Sequence, residues 1–290
     1  MMILLFLISL ELTGPVGCAL PVGDRIVVSM IQDHEVLMLD QSLNVIARFG
    51  EYGQGPKSLN RPYGVFNGTD GIWLYNLGNG FITVLDHNLE YIRRFRAEAI
   101  PVTQSARDPT WFAGIGWNEI WRSYRSGSSG FQSQDQGGTF SKANQAINNM
   151  FHYHFITIFG NGKVMWADSL DRMIRMDGKT ILEVDETARQ PKLKADPEWL
   201  LGVMDRLDHF PRPGFTYTDG DQEMAVVVVQ NADKQDGAWR TFLIDQNGQV
   251  QSAIRGNDYP LCKSGELFLW CNDDRLLLDV WNFYSERPDQ

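Results

Sequence analysis

The chain has 290 residues, of which 43% are hydrophobic and 27 are glycine. This composition allows a large core and many tight turns, and it is not typical of a protein made of long helices. The formal net charge of −10 at pH 7 argues against a nucleic-acid partner, because phosphate binding depends on Lys and Arg. The same charge argues against a surface that binds anionic lipid.

The chain begins with an apolar run over residues 1–12, in which only Ser9 and Glu11 are polar. Its length suits the core of a secretory signal peptide and is too short for a membrane span. We therefore predict an export segment over residues 1–22, a periplasmic or extracellular location and no membrane span. Cys18 partly matches a lipoprotein cleavage site, so a lipid anchor on Cys18 is a further hypothesis. The alternative is that residues 1–12 form a buried strand of the first or last sheet.

A sequence pattern occurs twice in the first third of the chain. Residues 36–49 return as residues 82–95, so that Asp40 recurs as Asp86, 46 residues later. A period of this length, made of short apolar runs and turns, is typical of one blade of a β-propeller. We therefore predict that residues 23–290 form a single all-β domain, a six-bladed β-propeller closed by pairing between the two ends of the chain.

Alternating apolar residues and turn formers predict the strands of six units. In chain order they cover residues 25–30, 35–40 and 45–49; 63–66, 72–76, 81–86 and 91–96; 111–115 and 119–124; 151–159, 163–167, 173–176 and 180–184; 215–218, 224–229, 240–245 and 249–254; and parts of 261–283. One short inserted helix is predicted after Asp196, which is a candidate N-cap followed by Pro197, and it ends before Pro211.

An Asp ends the third predicted strand in four of the units and begins the following turn. Its carboxylate can accept hydrogen bonds from the amides of its own turn, so we predict a structural role for it. The four residues are Asp40, Asp86, Asp177 and Asp245.

The junction between the first two units carries a family resemblance. Residues 49–56 read FGEYGQGP, and residues 62–65 read PYGV. This resembles the junction of NHL-repeat propellers, where a G-x-x-G-x-G-P loop leaves one blade and a P-x-G-V segment begins the next. It is most similar to the exported bacterial six-bladed propellers of that type. The resemblance implies a fold, and relatives of this kind include protein-binding modules, RNA binders and a few lyases.

A second resemblance falls in the third unit. Residues 133–140, SQDQGGTF, match the S-x-D-x-G-x-T-W/F pattern of the sialidase Asp box. In those propellers the box closes a hairpin turn between two strands of a blade, so the resemblance predicts such a turn at residues 133–140. It does not imply sialidase activity, because the start motif and the arginine triad of sialidases are not found in the sequence.

Two histidines suggest a possible metal site. His152 and His154 alternate along one predicted strand, so they share a face of the sheet. If that strand is the innermost of its unit, an H-x-H pair beside Asp168 could ligate a metal ion. The alternative is that both histidines are polar residues facing water in the central channel.

Aromatic and cationic residues in the predicted loops and inner strands suit a protein, peptide or glycan ligand at the channel mouth. The predicted ligand-binding residues are Tyr52, Arg61, Tyr63, Trp117, His152 and His154. No motif combines a nucleophile, a base and an orienting group, and no cofactor is assigned. We therefore predict an exported binding or scaffold module. The alternative is a metal-assisted lyase or glycoside hydrolase at the channel mouth. For Cys262 and Cys271, a disulfide and two free buried thiols both remain open.

Overall fold

The computed structural model describes residues 8–53, 55–115, 120–127, 130–139, 154–168, 173–183, 214–230, 239–256, 258–272 and 275–280. All regular elements in these ranges are β-strands, and they form six four-stranded sheets. The helix predicted after Asp196 and the residues Trp117 and His152 lie outside the described ranges.

Five of the sheets contain four strands that are consecutive in the chain, and the last sheet contains strands from both chain ends. The first contains β2 (Val16–Val22), β3 (Arg25–Met30), β4 (Glu35–Leu39) and β5 (Val45–Phe49). The second contains β6 (Pro62–Asn67), β7 (Ile72–Asn76), β8 (Phe81–Leu85) and β9 (Tyr91–Arg96). The third contains β10 (Ile100–Gln104), β11 (Trp111–Ile115), β12 (Ile120–Gly127) and β13 (Gly130–Thr139).

The fourth contains β14 (His154–Ile158), β15 (Val164–Asp168), β16 (Met173–Met176) and β17 (Lys179–Glu183). The fifth contains β18 (Phe215–Asp219), β19 (Gln222–Gln230), β20 (Trp239–Asp245) and β21 (Val250–Gly256). The last contains β22 (Tyr259–Ser264), β23 (Leu267–Cys271), β24 (Arg275–Val280) and β1 (Ile8–Glu11). A four-stranded meander is the blade of a β-propeller, so the predicted fold class, a six-bladed all-β propeller, is confirmed.

Contacts between residues divide the chain into two compact units. The first comprises Met1–Ile100, Ser126–Phe131 and Asn257–Gln290, and the second comprises Pro101–Arg125 and Gln132–Gly256. The first unit therefore contains the blades β2–β5, β6–β9 and β22–β24 with β1. The second contains the blades β14–β17 and β18–β21 and most of β10–β13. The single domain predicted over residues 23–290 stays a prediction.

The last blade is built from both ends of the chain, as the predicted closure requires. β1 pairs antiparallel with β24, with Ile8 opposite Leu278 and Glu11 opposite Arg275. β2, which also lies within the predicted export segment, is the strand that the first predicted unit lacked. Over residues 8–11 the structure has the strand that was the alternative to an export segment. Removal of residues 1–22 from the mature protein stays a prediction.

Three of the four predicted Asp turns form as expected. The Oδ1 atom of each Asp accepts hydrogen bonds from the amides two and four residues later, at 2.8–2.9 Å, in the turns that begin at Asp40, Asp86 and Asp245. Hydrogen bonds from Asn44 hold the pKa of Asp40 below its ordinary value, and the amide of Glu90 does the same for Asp86. Each carboxylate thus stabilises a turn by accepting hydrogen bonds from backbone amides that are not paired with another strand.

The prediction was wrong for Asp177. Met176 pairs with Lys179, so β16 and β17 are joined by a two-residue turn in which Asp177 and Gly178 have φ values of 47° and 79°. The carboxylate of Asp177 instead accepts a hydrogen bond from the amide of Val164 at 3.2 Å. A two-residue turn contains too few amides for the longer arrangement that Asp40 begins.

The hairpin turn predicted from the Asp box was also wrong. Residues 133–139 lie inside the single strand β13, which begins at Gly130. The preceding strand β12 ends at Gly127, so the connection between β12 and β13 comes before the box. The two glycines at these strand ends suit a turn better than the box does.

Separate hydrophobic clusters pack neighbouring blades together within each unit. The cluster of the first two blades contains Leu20, Val27, Val36, Met38, Leu59, Val65, Ile72, Leu74, Leu85 and Leu89. The cluster of the fourth and fifth blades contains Phe159, Met165, Ile174, Met176, Ala225, Val227, Phe242 and Ile244. Burial of these side chains is the main favourable contribution to the fold.

A buried carboxylate connects three blades of the second unit. Glu223, in β19, is fully buried. Its Oε1 atom accepts hydrogen bonds from the Ser105 hydroxyl and the Ala106 amide, both at 2.8 Å, and from the Arg107 amide at 3.3 Å. Its Oε2 atom accepts a hydrogen bond from the amide of Gly160. Because both oxygens are engaged with structural donors, we assign Glu223 to folding.

Candidate functional site

Two connections of the first blade meet at the same end of its sheet. In a meander, the turn between the second and third strands and the chain that leaves the fourth strand fall at one end. The β3–β4 turn contains His34, and the connection from β5 to β6 contains Tyr52 and Arg61. We call this connection loop 50–61.

Loop 50–61 is anchored at its first residue and by a buried leucine. Gly50 has a φ of +104°, and a Cβ atom there would lie 2.5 Å from Cδ1 of Leu59, so only glycine fits. Leu59 is fully buried, and its position next to Gly50 closes the loop against the core. The Arg94 guanidinium donates a hydrogen bond to the carbonyl oxygen of Gly55 at 3.1 Å, which holds the outer part of the loop.

The backbone amides at the end of the loop are all used inside the protein. Those of residues 58–61 donate in turn to Gly55 O at 3.1 Å, Glu51 O at 2.9 Å, Asn76 Oδ1 at 3.1 Å and His34 Nδ1 at 3.0 Å. The carbonyl oxygen of Arg61 in turn accepts from the amide of Leu77 at 2.9 Å. Residues 58–61 are therefore fixed by hydrogen bonds within the first two blades and the loop.

The side chains that this loop presents cluster around His34. The rings of His34 and Tyr52 have centroids 4.7 Å apart and are tilted by 48°. Tyr52 is nevertheless 68% exposed, the largest exposure among the large hydrophobic residues that the structure describes. Arg61 is exposed beside them and has a left-handed φ of 52°. We call Tyr52, His34 and Arg61 the Tyr52 surface.

The hydrogen bond from the Arg61 amide determines which ring nitrogen of His34 carries the proton. Nδ1 accepts the Arg61 amide, so in the neutral ring the proton is on Nε2. Partial burial lowers the pKa of His34, the Arg61 guanidinium lowers it further, and Asp33 acts in the opposite direction. The imidazole is therefore a neutral ring that supports Tyr52 at neutral pH.

The arginines of the first unit differ in whether a carboxylate lies nearby. Three have one within 4.0 Å, in the pairs Arg25–Asp24, Arg48–Glu35 and Arg93–Asp70, whereas Arg96 and Arg275 have none within the ranges that the structure describes. Among the described residues no such carboxylate is found for Lys57, Arg61 or Arg94. Loop 50–61 therefore combines an exposed aromatic ring with cations that have no acidic partner in the described part of the chain.

The structure brings together two of the predicted ligand-binding residues, Tyr52 and Arg61. Tyr63 lies further along, in β6, where its carbonyl oxygen accepts a hydrogen bond from the Ser29 hydroxyl at 3.2 Å. Sequence reasoning missed His34. A comparison of the repeats contains a signal for it, because His34 precedes Gly80 by one repeat and both have positive φ, 56° and 70°. A histidine at a position where the next blade has a glycine is unusual, because positive φ favours glycine, and it therefore points to a specific role for His34.

The predicted metal site stays a prediction. His154 lies directly opposite Asp168 in the register of β14 and β15, and β14 is the first strand of its blade. His152 is outside the described ranges. Among the side chains that the structure describes, no group of three His, Cys, Asp or Glu residues could hold a metal ion.

The three cysteines are free thiols. Cys18 lies within β2, where its amide donates to the Ser29 hydroxyl at 3.0 Å, so a lipid-anchored Cys18 would require this part of the strand to leave the sheet. Cys271 lies opposite Tyr259 and accepts a hydrogen bond from the Tyr259 hydroxyl at 3.1 Å. Of the two alternatives for Cys262 and Cys271, the structure has the two buried thiols.

No family model matches the chain, and no curated protein matches it. Solved structures do resemble it. One is a protein from Bacteroides fragilis NCTC 9343 that is named as an exported protein. It has 8% identity and a TM-score of 0.53, and the match covers 96% of this chain and 95% of that one. Another is a member of the DUF4221 family from Bacteroides vulgatus ATCC 8482, with 9% identity and a TM-score of 0.57 over 95% and 96%. Similarity at this identity establishes the fold alone. Within the described ranges, no helix has the length and apolar character needed to cross a membrane.

Proposed function

We propose that this protein is an exported β-propeller that acts as a binding or scaffold module and contacts its ligand through the Tyr52 surface. The observation that carries the proposal is the 68% exposure of Tyr52 on a loop whose residues 58–61 are fixed by internal hydrogen bonds. A large aromatic ring held outside the core contributes little to folding, whereas Tyr and Arg are enriched among the residues that dominate binding interfaces.

The rigidity of loop 50–61 supports a role in recognition. Binding costs less free energy when the contacting loop is already ordered, because less conformational entropy is lost. The buried Leu59 and the bond from Arg61 to His34 provide this order before any ligand arrives. This order supports the Tyr52 surface as the place where the ligand of the sequence prediction, a protein, peptide or glycan, would bind.

Export and an NHL-type relationship belong to the same proposal. Support comes from the apolar residues 1–12, from the junction motif over residues 49–65 and from a similar fold in a protein whose name presumes export. Mass spectrometry of the N-terminal peptide of the secreted protein identifies its first residue and tests export and cleavage together. A mature chain that retains residues 8–11 is expected if β1 is part of the functional fold, and a chain that begins at Cys18 with attached lipid is expected for a lipoprotein.

A metal-assisted lyase or glycoside hydrolase remains the second candidate. The observation in its favour is that His154 and Asp168 occupy directly opposed positions on neighbouring strands. Metal analysis of the purified protein tests it. A stoichiometric divalent ion that is lost in His154→Ala and kept in His87→Ala, which changes an exposed histidine of a turn, would favour this candidate over the binding module.

The proposed function is tested by binding screens against peptide and glycan arrays with matched variants. Tyr52→Ala removes the exposed ring, and Ile46→Ala is the control because Ile46 is an exposed apolar side chain of β5, at 48% exposure. We expect Tyr52→Ala to weaken binding of the detected ligand by about tenfold or more, the effect of losing one anchor residue, and Ile46→Ala to leave it unchanged. Equal affinities for the wild type and both variants would contradict the proposal.

A further inference from the structure

The cations around loop 50–61 indicate what kind of ligand this surface recognises. Lys57 and Arg61 belong to the loop, and Arg94 holds it through the carbonyl oxygen of Gly55. Asp33, whose charge raises the pKa of His34, accepts a hydrogen bond from the Thr13 hydroxyl at 2.7 Å. Glu35 is paired with Arg48 at 2.7 Å. Two acids, Asp33 and the loop residue Glu51, remain against the three cations, so the local excess is one positive charge in a chain whose net charge is −10.

The backbone amides at the end of the loop are not available to a ligand. The amides of residues 58–61 all donate to acceptors within the protein. A ligand made of hydroxyl groups would need many such donors and acceptors, since sugar hydroxyls are recognised by hydrogen bonds. Tyr52 and Arg61 are both exposed at this surface. These two groups match an apolar contact beside a carboxylate, because a guanidinium binds a carboxylate through paired hydrogen bonds.

We infer that the Tyr52 surface binds an acidic peptide segment of a partner protein, with a partner carboxylate on Arg61 and an apolar part of the segment on the Tyr52 ring. This inference rests on the proposed function and adds the class of partner to it. An acidic segment is favoured over a nucleic acid because the overall negative charge repels a polyanion, whereas a short segment contacts only the local cationic area.

The experiment uses the full chain and labelled degenerate dodecapeptide pools in three versions, rich in Asp and Glu, in Asn and Gln, or in Lys. Binding is measured by fluorescence anisotropy at low and high salt. We expect the acidic pool to bind most tightly and to lose affinity with added salt, because exposed charge pairs are screened. Polygalacturonate serves as a carboxylated polysaccharide probe, and we expect it to bind more weakly than the acidic pool.

Matched variants separate charge from the aromatic contact. Arg61→Gln removes a cation from the surface, and Arg25→Gln removes one that is already paired with Asp24, at 3.9 Å, at the other end of β3. Both variants change the net charge equally. We expect Arg61→Gln to weaken binding of the acidic pool about tenfold and Arg25→Gln to leave it unchanged. A weaker but additive loss is expected for Lys57→Gln.

The outcomes distinguish this inference from the proposed function. If Tyr52→Ala abolishes binding while Arg61→Gln behaves like Arg25→Gln, the binding surface stands and the acidic partner is refuted. If polygalacturonate binds and the peptide pools do not, the partner is a glycan and the inference is overturned. If none of these probes binds the wild type, the acidic partner is refuted. If, in addition, no ligand from the peptide and glycan arrays loses affinity in Tyr52→Ala, the proposed function fails as well.

Discussion

Removal of the Glu223 carboxylate is the sharpest test of how the second unit is held together. Glu223→Ala leaves the Ser105 hydroxyl and three backbone amides without their acceptor. A hydrogen bond to a charged group contributes about 1.5–3 kcal/mol, and an unsatisfied buried donor costs about 1–3 kcal/mol. Part of this loss is offset because a buried carboxylate no longer has to be desolvated. We expect a net loss of about 3–5 kcal/mol in the free energy of unfolding.

Glu223→Gln measures how much stability depends on one carboxylate oxygen, because only the acceptor at Oε2 is lost. The amide oxygen can take the place of Oε1 and keep the bonds from Ser105 and Ala106, but the amide nitrogen then faces the Gly160 amide, so that two donors meet. The expected loss is about 1.5–3 kcal/mol, the contribution of one charge-assisted bond. The control Asp221→Asn removes an exposed charge from the same hairpin, and a change below about 0.5 kcal/mol is expected.

The assay is guanidinium unfolding followed by tryptophan fluorescence, with the free energy extrapolated to water. The reasoning requires the order Ala, Gln, then the Asp221 control, from most to least destabilised. If Glu223→Ala unfolded at the same denaturant concentration as Asp221→Asn, the carboxylate would not be what connects these three blades, and the assignment of Glu223 to folding would be refuted.

Three further predictions concern the first unit. The pKa of Asp40 lies below its ordinary value of 3.8, so the stability that Asp40 adds is present above that value and is lost as the pH falls through the lower folded pKa. Asp40→Ala should therefore destabilise more at pH 6 than at pH 3, unlike the control Asp24→Ala, and an equal difference at both values would contradict this. The folded pKa of His34 lies below its ordinary 6.5, so its contribution is present above 6.5 and lost as the pH falls through the folded pKa. Acid should thus lower the free energy of unfolding more steeply in the wild type and in His87→Ala than in His34→Ala; identical pH profiles of stability in all three would exclude the role of His34. Deletion of residues 1–11 should lower the unfolding midpoint and cause association seen by light scattering, because the edge of β24 loses its partner, and an unchanged midpoint without association would contradict this.

The fold was predictable because strand periodicity and turn residues agree over most of the chain. The hydrogen bonds of the Asp40 and Asp86 turns were also predictable, because an Asp at the end of a strand can accept from the amides of the following turn. The N-terminal strands were harder, since the apolar run that contains β1 has the composition of a signal-peptide core as well as of a buried strand. β10 was missed for another reason: Pro101 near its start lowers the expectation of a strand.

The candidate site was predictable only in part. The glycine-rich junction motif pointed to Tyr52 and Arg61, because such loops carry function on a rigid scaffold. His34 could not be found from local sequence, since its role depends on a chain reversal that places the β3–β4 turn against loop 50–61. Positive φ at a residue other than glycine is a property of the folded backbone, and only the repeat comparison with Gly80 hints at it.

The pairing of β1 with β24 also bears on how the gene could be rearranged. Ile8 lies opposite Leu278, so the chain arrives at β1 and departs from β24 at the same end of that sheet. A short linker could therefore join the two, and new termini could be opened at an exposed turn such as Asp177-Gly178 without breaking any blade. New termini there would move the junction of the chain ends from the last blade into the fourth. The order of blades would therefore be a circular property, and recombination could move the start of the coding sequence from one turn to another while the same six sheets are encoded.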